Sequence, residues 1–348
     1  MHHPIYWIID DDISFSATIE ITEKQQEIHL FDIINQHLGK IDALIGSISC
    51  DPPVPTLSCM RGQLIDFLHS HQAKKSINAD FLKIKSKPDY YYDLSDSHSD
   101  HLESPIYHTK ISENDLKYIF SGKSLSRQAL QRNESLKTKT ITKRGANTLV
   151  FNRDLLQRYP VINIEVHHKF ARRGDLLWAL LNQLVSEKKI IEHPFALDHN
   201  RPIIDFNVEN ELEKAAYDII GYAFNKAFLN VIDAIKEQTK ATQSKDIFEQ
   251  LNQKHYYQQF LNTYYFYLNR RKIRFLMNYY RIIGVLKLLS EDFKIAKSVY
   301  NQVSNKGVLT DFNTLIEAAQ NEDTLTVFFN ELTTTISTYT DATTDLNV

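Results

Sequence analysis

Cysteine is nearly absent from this sequence: Cys50 and Cys59 are the only two in 348 residues. Two thiols cannot build a disulfide scaffold or a cysteine-rich zinc site, and so low a count fits a reducing compartment. Glycine and proline are also scarce, at nine each. That excludes collagen-like and Pro/Gly-rich low-complexity chains. No apolar run approaches the ~18–20 residues that span a bilayer, so no membrane partner is expected. Met1-His2-His3-Pro4 has neither the basic start nor the apolar stretch of a secretory signal, and the expected location is the cytoplasm. Nor is there a surplus of positive charge. Forty basic residues against 43 acidic ones leave a net charge of −3, which excludes a global polycation. What is there is ordinary globular composition, 43% hydrophobic and 24% charged. The chain is long enough for about two domains with a real core.

The segment Ile5-Tyr6-Trp7-Ile8-Ile9 is continuously apolar and predicts a buried strand of a parallel or mixed sheet. Residues 25–39 carry Ile28, Phe31, Ile34 and Leu38 at helical spacing and read as an amphipathic helix. Ile41 to Ile48 predicts a second buried strand, which runs into the breaker cluster Asp51-Pro52-Pro53-Val54-Pro55. Residues 63–69 read as helix again, so strand and helix alternate, as in an α/β layer architecture. Residues 85–135 are polar and irregular. Within them, Ser95-Asp96-Ser97-His98-Ser99-Asp100-His101 reads as a solvated loop rather than a metal site. Thr148 to Asn152 is a strand candidate, and Asp175 to Val185 a helix with Leu176, Leu177, Leu180, Leu181 and Leu184 on one broad face. Lys188 to His193 reads as a short strand and Pro194 to Pro202 as a loop. Near residue 208 the texture becomes helical throughout. The expected fold class is therefore α/β: a mixed, mostly parallel sheet with flanking helices over 1–208, followed by an all-helical domain over 209–348.

Four constellations carry chemistry. Asp10-Asp11-Asp12 closes the first apolar run, where α/β proteins place ligands. On a strand, Asp10 and Asp12 share a face and Asp11 points away. Two such carboxylates suit Mg²⁺ or Mn²⁺; the plain alternative is an acidic turn or helix cap. In Arg172-Arg173-Gly174-Asp175, two guanidinium groups beside a helix start can grip a phosphate or carboxylate. Asp175 is either a cap or a base facing a substrate hydroxyl, with Trp178 one turn further on. His199, followed by Arg201, is a candidate metal or phosphate contact, although a lone loop histidine usually has no special role. Gly145 and Ala146 ahead of Asn147 and Thr148 allow a ligand to approach the backbone closely.

In this order, the apolar strand ending in Asp-x-Asp, the Asn147-Thr148 strand, the Arg-Arg-x-Asp helix start and the late histidine resemble the metal-dependent GT-A class of nucleotide-sugar glycosyltransferases. The resemblance spans residues 5 to about 205. It implies a nucleotide-sugar donor, an acceptor of unknown kind and Mn²⁺ or Mg²⁺ held by Asp10, Asp12 and His199. Asp175 would be the catalytic residue at the acceptor hydroxyl. Arg172, Arg173 and Arg201 would face phosphates or acceptor, with Asp11, Asn147 and Trp178 as further substrate contacts. Only nine residues precede Asp10, so the nucleotide-binding half of such an enzyme is expected from a second chain, unless the chain is a degenerate relative.

Two other readings stand beside it. Asp10-x-Asp12-x-Ser14 also resembles the start of a haloacid-dehalogenase-type phosphatase, with Asp10 as nucleophile and Mg²⁺ between the acids. The third is a non-enzymatic interaction protein. From Leu251 to Ser290 there is no Asp or Glu, while Arg270, Arg271 and other cations alternate with tyrosines and phenylalanines. Such a segment can bind nucleic acid. However, Phe260, Tyr264, Tyr267, Phe275, Tyr279, Ile282, Ile283 and Leu286 fall at helical spacing, which favours core or partner packing. An exposed part of that stripe would offer a homo-oligomer interface.

Overall fold

The computed structural model describes residues 5–9, 13–15, 18–21, 24–27, 29–51, 54–75, 103–105, 112–125, 127–129, 139–140, 147–153, 155, 165–185, 189–239, 247, 250–251 and 253–344. Tyr6–Ile9 forms β1 and Ile13–Phe15 β2; Thr18–Ile21 (β3) and Lys24–Glu27 (β4) make an antiparallel pair. Helix α1 (Leu30–His37), strand β5 (Ala43–Cys50) and helix α2 (Thr56–Lys75) come next. Short strands β6 (Glu103–Pro105), β7 (Arg127–Ala129) and β8 (Lys139–Thr140) follow, with α3 (Leu116–Phe120) ahead of β7. Then come β9 (Asn147–Val150), the pair β10 (Glu165–Val166) and β11 (Lys169–Phe170), α4 (Gly174–Val185) and β12 (Ile190–His199). The rest is helical: α5 (Val208–Thr239), α6 (Lys254–Leu289), α7 (Lys294–Val303), α8 (Leu309–Ala318) and α9 (Glu322–Thr344).

The main sheet is mixed and runs β1-β9-β5-β12-β2. Among the described ladders only β5–β12 is parallel; β1–β9, β5–β9 and β12–β2 are antiparallel. The parallel character expected of most of the sheet is thus confined to its central pair. Ala43, Leu44 and Ile45 of β5 are fully buried, as a strand covered on both faces requires.

Two local expectations are corrected. Residues 24–27 pair as β4, and the helix starts only at Leu30. Among its described side chains Ile33 and His37 are buried, while Phe31 and Leu38 face solvent. The two stripes differ by only part of a turn, and packing chose the narrower one. The segment after His193 is not a loop: β12 continues through Pro194 to His199 with a register shift between His193 and Ala196. Proline lacks an amide hydrogen, and an irregularity in the ladder is where a sheet tolerates it.

Helix α5 begins at Val208, where the helical texture starts. Ala215, Ala216, Ile219, Ile220, Ala223, Phe224, Ala227, Phe228, Val231 and Ile232 are all fully buried. A helix apolar on nearly every side belongs in the centre, and α5 packs against α2, α4, α6, α7 and α8. One buried cluster runs from Ala43 of the sheet through α4 and α5 to Leu332 of α9. No helix among the described residues is long and apolar enough to cross a membrane.

Candidate functional site

The expected acidic triplet, Asp10, Asp11 and Asp12, lies outside the described residues, as does the Ser95–His101 stretch. Its flanks are defined: Ile9 pairs with Asn147 of β9, and Ile13 pairs with His199 of β12. His199 in turn stands opposite Cys50, the last residue of β5. The triplet thus connects two strand ends that carry two of the expected site residues.

His199 is the last residue of a strand, not a loop histidine, and it is buried. Its Nδ1 lies 2.6 Å from the Asp51 carbonyl oxygen. A carbonyl only accepts, so Nδ1 carries a proton and donates it. Metal-ligating histidines are commonly steadied by a backbone carbonyl in this way. Asp51 is itself fixed. Its Oδ1 accepts from the Ser124 amide at 2.6 Å and its Oδ2 from the Arg201 amide at 2.8 Å, while Lys123 Nζ stands 3.3 Å from Oδ2.

Arg201 was expected to meet phosphate or acceptor. Instead its guanidinium donates to the Val54 carbonyl and, at 3.3 Å, to Thr56 Oγ1. Room for it comes from Gly122, whose φ is +79° and where a Cβ would fall 1.9 Å from the Arg201 Nη1. Arg201 thus braces the turn between β5 and α2. The start of α2, a place where α/β proteins often hold phosphate, accepts an internal carboxylate: Glu211 Oε2 of α5 receives the Thr56 amide at 2.8 Å.

The second group of expected residues stands at the start of α4, against α5. Arg173, at φ +75°, donates through Nε and Nη2 to the two oxygens of Asp218, at 3.0 and 3.1 Å. The guanidinium expected to grip a ligand therefore grips a buried carboxylate. Arg271 of α6 joins from the other side, with Nη1 3.7 Å from Asp218 Oδ2 and its guanidinium carbon 3.1 Å from the Tyr222 ring centre. Burial by itself would raise the Asp218 carboxyl. Arg173, Arg172 and Arg271 outweigh it and hold the group below the ordinary carboxylate value. Arg271 is 3% exposed, so it is a core cation and not a contact for a nucleic-acid backbone. Arg270, one residue earlier, is half exposed and lies over Phe266. The Arg172 side chain is exposed, while its carbonyl packs where a Cβ on Gly221 would fall, 1.8 Å away. Asp175 occupies the first turn of α4, half-buried. Trp178, expected at the substrate, is 2% exposed within the core, because the leucine-rich face of α4 turns it inward.

Among the described residues, His199 and Arg201 engage the Asp51 turn, and Arg173 engages Asp218 at the α4–α5 seam, beside Arg172 and Asp175 at the start of α4. Among the described residues no group of three His, Cys, Asp or Glu side chains is arranged to hold a metal ion. The organising acids Asp51, Glu211 and Asp218 were not singled out in the sequence. Asp51 had the same signal as Asp10, a carboxylate closing a buried strand; Glu211 and Asp218 look like ordinary helix acids. In comparisons with protein families, characterised proteins and solved structures, the chain matches none.

Proposed function

We propose that the carboxyl end of β5 and β12 is a divalent-metal site and that the chain is a metal-dependent glycosyltransferase acting on a nucleotide-sugar donor in the cytoplasm. The observation that carries this reading is the state of His199. Its Nδ1 proton is committed to the Asp51 carbonyl, and its strand partner Ile13 directly follows Asp12. Asp10, Asp12 and His199 would hold Mn²⁺ or Mg²⁺. The ion supplies Lewis-acid stabilisation of the departing diphosphate. The chain's own part is orientation: the Ser124 and Arg201 amides fix Asp51, and Asp51 fixes the imidazole. Asp175 and the exposed Arg172 belong to the acceptor side in this reading. Arg173 acts through its ion pair with Asp218 rather than on the substrate.

A thermal-shift panel of nucleotide sugars with Mn²⁺ tests it. Saturating donor, at about a hundred times its Kd, stabilises by about 2.7 kcal/mol. The shift requires the metal and disappears in Asp12→Asn. Absence of a shift with every donor, or an undiminished shift in Asp12→Asn, removes the proposal. Mg²⁺-dependent release of phosphate from an aryl phosphate would select the phosphatase chemistry instead.

A further inference from the structure

Helix α6 has a second apolar face that no described element covers. Phe266, Ile273, Met277, Tyr280 and Leu288 are each 50–60% exposed. Their spacings of seven, four, three and eight keep them in one narrow row. From Phe266 to Leu288 the row runs ~33 Å along the helix. Gly284 lies in the same row. It is exposed, and a Cβ built there meets nothing within 4 Å. An interior helical glycine is unfavourable by comparison with alanine, and nothing among the described residues requires it. A second helix crossing at Gly284 would require it, because a missing side chain lets two backbones approach closely.

The charge beside the row selects the occupant. Arg270, Arg281 and Lys287 border it, and no Asp or Glu occurs between Leu251 and Ser290. A second copy docked through this face would set cation against cation. A bilayer or a nucleic acid would satisfy the charge, but neither needs a gap at Gly284, and three of the five side chains of the row, Ile273, Met277 and Leu288, offer nothing for bases to stack on. We propose that the outer face of α6 docks an amphipathic helix of a partner protein, one whose apolar stripe is flanked by Asp and Glu.

The test is selection from a displayed library of amphipathic peptides of about 25 residues, enough to cover the row at 1.5 Å per residue. The polar positions are randomised among acidic, basic and neutral residues. Enriched peptides should be acidic beside the stripe. Their affinity, read by fluorescence anisotropy, should fall about tenfold or more in Ile273→Asp and in Gly284→Leu, and weaken in high salt. Gly284→Ala separates docking from folding: it should raise the melting temperature by about 2 °C while weakening the peptide. Enrichment of neutral or basic peptides, or binding unchanged in Ile273→Asp, overturns the proposal. So does self-association in sedimentation that Ile273→Asp abolishes, or preferential binding to phosphatidylserine vesicles or single-stranded RNA through the same row.

Discussion

The two faces of α6 carry similar side chains and have opposite fates. The inner face holds Phe260, Tyr264, Leu268, Phe275, Tyr279 and Ile282, all essentially inaccessible. Its tyrosines are buried with their hydroxyls answered: Tyr264 donates to the Ala319 carbonyl at 3.0 Å and Tyr279 to the Val303 carbonyl at 2.8 Å. Burial pushes both phenols well above the ordinary tyrosine value, so both stay protonated donors. The outer face holds Phe266 and Tyr280 in solvent. The cations divide the same way. Arg271 turns inward to Asp218, while Arg270 stays at the surface over Phe266. Aromatic and basic content therefore does not identify a binding surface. Burial and the fate of each polar atom do.

Four measurements would break or sharpen this contrast. The largest loss is expected for Asp218→Ala, which leaves Arg173 and Arg271 facing each other in the core. Equilibrium denaturation should show a loss of up to about 5 kcal/mol, and a loss below 1 kcal/mol would mean the cluster is solvated. Next is the direct comparison of faces. Phe260→Ala should cost about 4 kcal/mol, whereas Ile273→Ala should stay within about 0.5 kcal/mol. Similar costs at the two sites would show that the outer row is already covered.

The third concerns the buried pair His37 and His193, whose ring centres are 5.6 Å apart. Burial lowers His37, with Lys40 and Lys189 adding to it. Burial, then His37, pushes His193 to about 4. The unfolded chain therefore binds more protons below the free-histidine value of about 6.5. Stability should be unaffected above pH ~6.5 and decline as pH falls toward 4, by about 3 kcal/mol from His193. His193→Phe should flatten that acid limb, and an unchanged limb would assign it to other groups. The smallest effect is Tyr264→Phe, which deletes one hydroxyl and leaves the Ala319 carbonyl short of a donor, for about 1 kcal/mol. The matching Tyr280→Phe should cost nothing measurable.

Much of the architecture was legible because it rests on local periodicity. The strand expected over 41–48 and found at 43–50, the helix expected from Asp175 and found from Gly174, and the inner row of α6 follow from runs of apolar residues with a fixed period. Where a segment carries two apolar rows, periodicity does not choose between them. In α1 it pointed to Phe31 and Leu38, and packing buried Ile33 and His37. The site was harder to read. Arg173 beside a helix start and Arg201 beside a histidine look like ligand contacts in sequence. Their partners, Asp218 and the Val54 carbonyl, are 45 and 147 residues away.

The sequence by itself determined that helices dominate after residue 208, that strands and helices alternate before it, and that one long segment is basic and acid-free. These are properties of neighbours along the chain, set by side-chain period and local charge. The tertiary structure alone decided which arginines are ligands to buried acids, which nitrogen of His199 donates to the Asp51 carbonyl, and which row of α6 meets water. Each depends on what a distant segment brings within hydrogen-bond range and on how much water it displaces, and neither is encoded in local spacing.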